Sequence, residues 1–114
     1  MPLDRRLLQI ANALSDRPDD DRKLEDWAQW AGIAPRTLTR RFSAETGFSL
    51  TEWRQRLRLL RSLELLAAGR AVSTVALDVG YQNVSAFIAL FKRTFAITPR
   101  LYVDLLDGRS LRAS

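Results

Sequence analysis

Apolar residues recur at helical spacing along the chain, and no stretch alternates with a period of two. Leu3, Leu7, Ile10 and Leu14 mark one face of a first helix, from about residue 3 to 15. A polar loop with Pro18 as breaker follows. Leu24, Trp27, Ala28 and Ala31 then define a short second helix stopped by Gly32. Pro35 suits the first turn of a third helix, where a missing N–H costs nothing; Leu38 and Phe42 form its buried face and Gly47 ends it. Ser49 and Glu52 have the spacing of a capping box. It opens a long fourth helix, Leu50 to about Ala68, with Leu50, Trp53, Leu57, Leu60 and Ala67 inward. Ser73 is the expected cap of a fifth helix carrying Val75, Ala76 and Val79 to Gly80. Asn83 is the expected cap of a sixth, with Phe87, Phe91 and Phe95 on one face. Thr98 and Pro99 open a last helix to about Leu106, before Gly108. The pattern predicts an all-α fold of seven helices.

Within this pattern lies an internal repeat. Ala28, Gly32 and Ile33 match Ala76, Gly80 and Tyr81: a small residue, three residues, Gly, then an apolar residue. Leu38 and Phe42 follow Gly32 by six and ten positions, and Phe87 and Phe91 follow Gly80 by seven and eleven. A small residue lets two helices approach, Gly takes the left-handed turn, and the apolar i, i+4 pair packs the second helix back on the first. This is the logic of a helix-turn-helix, present twice, 48 or 49 residues apart. The predicted organisation is a first helix-turn-helix subdomain over 1–48, a linker helix over 49–69, a second subdomain over 70–107 and a tail over 108–114. A linker helix of about 19 residues is roughly 28 Å long. That suits two recognition helices about 34 Å apart, entering successive major grooves on one face of a duplex.

Composition narrows the chemistry. The 114 residues contain no His and no Cys, which removes the commonest general base, the thiol nucleophile and the usual metal ligands. No catalytic residue, metal site or cofactor is therefore expected, and the chain does not read as an enzyme. No apolar run approaches the roughly 20 residues of a membrane span, and no signal peptide is evident, so a soluble cytoplasmic protein is expected. The net charge of +5 is unevenly spread. Residues 1–33 carry −2, residues 34–61 carry +5, and residues 62–114 carry +2. All seven basic residues of the middle segment are Arg, whose planar fork suits phosphate and the guanine edge. Charge alone leaves two readings open, a nucleic-acid binder and a basic helical module that binds an acidic protein groove.

The motifs carry a closer resemblance. LEDWAQWAGIAPRTLTRRFSAETGFSL, residues 24–50, resembles the first motif of the AraC/XylS family of bacterial transcription regulators. VALDVGY at 75–81, followed by FIALFKRTFAITP at 87–99, resembles its second. The similarity covers roughly residues 5–104. It implies a sequence-specific DNA-binding domain with two helix-turn-helix units that engages two adjacent major grooves of double-stranded DNA. It also implies RNA polymerase as a partner if the protein activates, and an N-terminal sensor domain in a longer regulator. The Met-Pro start fits a short protein or a piece of a longer one, and the second is the expectation.

Carried over residue by residue, the resemblance puts Arg36, Thr39 and Arg40 on bases. The residue pattern agrees, because Leu38 and Phe42 face inward and 36, 39 and 40 fall on the outer face. Arg36 or Arg40 can read guanine bidentately, and Thr39 can touch a thymine methyl or a phosphate. Arg41, nearer the flank, suits a phosphate or an intramolecular pair. In the second motif the matching outward positions are Val84, Ser85, Ala86, Ile88 and Ala89, none of them charged. The family often has Arg where Ala89 stands and Gly where Ala96 stands. Ser85, Ala86 and Ala89 remain the candidate base contacts, and this unit is expected to bind mainly through backbone contacts from Asn83, Lys92 and Arg93, with apolar contacts to thymine methyls. On the linker helix Arg54, Arg58 and Arg61 form a stripe: phosphate contacts, Arg54 foremost, or ion pairs to the acidic first segment. Trp27 and Trp53 read as core and Trp30 as partly exposed.

Overall fold

The computed structural model describes residues 4–108, so Leu3 and the tail over 109–114 lie outside the described residues. These hold seven helices and no strand: α1 (Arg5–Asp16), α2 (Leu24–Ala31), α3 (Pro35–Thr46), α4 (Leu50–Ala67), α5 (Val72–Asp78), α6 (Val84–Phe95) and α7 (Pro99–Asp107). Local chemistry explains most boundaries. Asp4 accepts the Arg6 N–H at 2.8 Å ahead of α1. Glu52 donates its N–H to the Ser49 hydroxyl while its carboxylate accepts the Ser49 N–H, at 3.1 and 2.9 Å. The Ser49 backbone bond in turn holds the Glu52 carboxyl below the usual carboxylate range. Asn83 accepts from the Ala86 N–H and Thr98 from the Leu101 N–H, both at 3.1 Å. Ser73 is not a cap: α5 starts earlier, with Ala71 at its N-cap and no side-chain bond there, so Ser73 lies inside the first turn.

The chain divides into two compact units, one running to Arg58 and one from Leu59. In the first, Leu7, Ile10 and Leu14 of α1 meet Trp27 and Ala28 of α2, Leu38 and Phe42 of α3, and Leu50 of α4. In the second, Leu59 and Leu66 of α4 meet Val75 and Ala76 of α5, then Val79, with Phe87 and Phe91 of α6. A fully buried side chain of this size contributes about 1.5–3 kcal/mol, so each unit has a core of its own. Trp27 is fully buried and Trp53 half-buried, whereas Trp30 is 51% exposed.

The apolar stripe of α4 differs from the expected one. Leu50, Trp53 and Leu57 serve the first core, as the spacing predicts. Leu60 is 55% exposed and Ala67 is exposed, while Leu59, Ser62 and Leu66 are buried. A single helical period drawn from the first half of α4 misassigns the second half, because each half packs on a different core. Ser62 satisfies its buried hydroxyl by donating to the Leu59 carbonyl at 2.5 Å.

The repeat is matched by identical turn chemistry. The Ile33 N–H donates to the Ala28 carbonyl, and the Tyr81 N–H to the Ala76 carbonyl, each at 2.9 Å. Both turns place Gly in positive φ, 71° at Gly32 and 104° at Gly80, which a side chain rarely adopts. Each pair, α2 with α3 and α5 with α6, is thus a helix, a tight left-handed turn and a second helix packed through its apolar i, i+4 residues.

Candidate nucleic-acid interface

The second helix of each pair carries the candidate readers. On α3, Leu38 and Phe42 are fully buried, which turns Arg36, Thr39 and Arg40 outward, all three exposed. Neither Arg36 nor Arg40 has a hydrogen bond or ion pair to a described residue. Their guanidinium forks are open to an external acceptor.

The other arginines of the basic segment have different surroundings. Arg41 donates to Asp4 at 2.9 Å and to Glu45 at 3.3 Å, the intramolecular alternative of its two expected roles. The Asp4 carboxyl is lowered to about 2, first by the Arg6 side chain and then by the Arg6 backbone. Arg54, expected foremost on phosphate, is half-buried and donates to the Arg22 carbonyl at 2.6 Å and the Asp20 carbonyl at 2.5 Å. Burial, then the neighbouring Arg58, pushes its pKa down. Arg58 donates to the Pro18 carbonyl at 2.8 Å and to the Asp20 carbonyl at 3.3 Å. Arg61 pairs with Glu64, and Arg56 lies over the Phe48 ring at 4.3 Å. The acidic loop does attract the α4 arginines, but Arg54 and Arg58 grip its backbone carbonyls. That contact had no sequence signal beyond an acidic loop and an arginine stripe. Across the same loop, Arg22 pairs with Asp20 at 2.9 Å and lies over the Trp27 ring at 3.9 Å.

On α6, Phe87 and Phe91 are fully buried, and Ser85, Ala86 and Ala89 are exposed. Val84 and Ile88, expected outward, are half-buried against the second core. The apolar face of α6 is wide enough to take in residues that flank the Phe stripe. Lys92 and Arg93 are exposed in the last turn, with no hydrogen bond or ion pair to a described residue. Asn83 spends its side-chain oxygen on the Ala86 N–H. Aligning Leu38 and Phe42 with Phe87 and Phe91 pairs Arg36 with Ser85 and Arg40 with Ala89. Positive charge therefore runs from the first turn to the middle of the outer face of α3 but sits only at the C-terminal end of α6. No helix among the described residues is long and apolar enough to cross a membrane. No cluster of three or more His, Cys, Asp or Glu there could hold a metal ion.

Two helix-turn-helix units, each with an exposed second helix, define a class of DNA-binding domain. The helix-turn-helix domain family matches residues 27–104. The HTH-type transcriptional regulator RipA of Corynebacterium glutamicum is 34% identical over 102 residues, covering 90% of this chain and 31% of that protein. The HTH-type transcriptional regulator NimR of Escherichia coli K12 is 39% identical over 83 residues, covering 73% of this chain and 30% of that protein. The DNA-binding domain of the global transcriptional factor AdpA, solved with a target DNA, has the same fold: TM-score 0.84 and 24% identity, covering 97% of this chain and 99% of that one. The chain belongs to the AraC-type helix-turn-helix family and is a DNA-binding domain of the kind found in its transcriptional regulators. It spans about three tenths of the length of these two regulators.

Proposed function

We propose that this domain recognises double-stranded DNA through two major grooves, with α3 as the principal reader. Arg36 and Arg40 take guanine edges and Thr39 a thymine methyl or phosphate. On α6, Ser85, Ala86 and Ala89 face the bases, while Lys92, Arg93 and the helix start at Asn83 hold the backbone. The observation that carries this reading is that Arg36 and Arg40 are exposed and uncommitted, while Arg41, Arg54 and Arg61 of the same basic segment are held by protein partners. Arg41 is accordingly a secondary phosphate candidate, whereas Arg54, first expected on phosphate, is spent on the loop between α1 and α2. In a longer cytoplasmic regulator the domain would answer to a sensor domain and, in an activator, position RNA polymerase.

Selection of bound oligonucleotides from a random pool tests the reading. Two blocks of sequence information are expected, the richer under α3. Arg40→Ala should then cost about 1–3 kcal/mol on the selected site and relax one base position. Equal affinity and unchanged selection for the variant would remove Arg40 from the readers.

A further inference from the structure

The two reading heads differ in the chemistry they offer a base edge. Arg36 and Arg40 on α3 have Ser85 and Ala89 as their counterparts on α6. Around Ala89 the exposed face of α6 consists of Ser85, Ala86 and Ala89, at i, i+1 and i+4, before Lys92 and Arg93 follow one turn on. Over that stretch the helix presents two methyl side chains and one hydroxyl, with no charge and no fork. Asn83 lies ahead of this stretch, at the N-cap, where its side-chain oxygen accepts the Ala86 N–H. Such a face cannot match the guanine O6/N7 pair bidentately. It can approach closely, because Ala extends little beyond the backbone, and it can cover an apolar group. In the major groove the one apolar group on a base edge is the thymine 5-methyl.

We infer that the second head selects its half-site by thymine 5-methyl groups, covered by the side chains of Ala86 and Ala89. Lys92 and Arg93 hold the flanking phosphates. This rests on the DNA-reading role proposed above for α6 and names what α6 reads. Covering one methyl is worth about as much as burying one methylene, roughly three- to fourfold in affinity. Two covered methyls set the second head's discrimination at about ten- to fifteenfold, below that of two bidentate arginines.

The test replaces single thymines of the selected site by deoxyuridine, which deletes the methyl and keeps the base pair. With the parent domain, each contacted position in the block under α6 should weaken binding three- to fourfold. Ala89→Gly removes the protein's side of one contact. It should abolish the deoxyuridine effect at one position and leave it at the others, with helical circular dichroism and the affinity for the α3 block reporting an intact fold. The parent protein with substituted DNA decides the matter even if the glycine variant does not fold. Sensitivity below twofold at every thymine of the second block, in a site that is still bound specifically, overturns the inference and leaves the DNA-reading role of the domain standing. Absence of specific binding to any oligonucleotide overturns both.

Discussion

At the C-terminus of α6, Ala96 holds a left-handed backbone, φ 68°, the only described non-glycine residue with positive φ. A Cβ in that conformation costs about 1–2 kcal/mol, whereas glycine gives back roughly 0.5–1 kcal/mol through the entropy of the unfolded chain. Ala96→Gly should therefore stabilise the domain by about 0.5–1 kcal/mol, measured as a higher denaturation midpoint with an unchanged slope. No gain in midpoint would mean that the turn relaxes around Ala. The residue resemblance already singled out position 96, because the family often has Gly there. The structure answers with an Ala held in the conformation that suits Gly.

At the scale of elements, α4 is more than a connector. Its first half closes one core and its second half another, on different apolar stripes. Arg54 and Arg58 use the same helix to hold the loop between α1 and α2 through the carbonyls of Pro18, Asp20 and Arg22. Arg54→Ala should thus act on stability rather than on DNA. The loss of two charged donors to half-buried carbonyls is expected to cost about 1.5–3 kcal/mol in a denaturation curve. The dependence of DNA affinity on salt should stay parallel to that of the parent. A salt slope shallower by about 0.9 would instead return Arg54 to the phosphate contacts. Helix starts at Ser49, Asn83 and Thr98 were legible as local side-chain caps, whereas Ser73 was not a cap because nothing local forbids α5 from starting two residues earlier.

For the whole molecule, the net charge of +5 does not say which cations are offered to a polyanion. Arg6, Arg22, Arg41, Arg61, Arg70 and Arg100 each have a carboxylate partner within 4.0 Å, and Arg54 and Arg58 hold carbonyls. The two recognition helices keep Arg36, Arg40, Lys92 and Arg93 uncommitted. If Lys92 and Arg93 each neutralise one phosphate, replacing both by Ala should lower the salt slope by about 1.8. Affinity should then fall alike on specific and random duplexes, as read by titrations at several salt concentrations. A slope equal to the parent's would exclude phosphate contact by both.

The sequence by itself determined the all-helical architecture, the two helix-turn-helix units and the buried i, i+4 pairs of α3 and α6. These depend on periodicity, caps and glycine turns that act over a few residues, and the repeated Ala–Gly–apolar pattern made them legible twice. Only the tertiary structure decided which arginines are free. Periodicity puts Arg36, Arg40, Arg54 and Arg58 alike on outer faces, but whether a guanidinium meets water or a carbonyl depends on a loop more than thirty residues away in the chain. The same holds for Leu60, Val84 and Ile88, whose exposure is set by the width and placement of a packed partner and not by the helix that carries them.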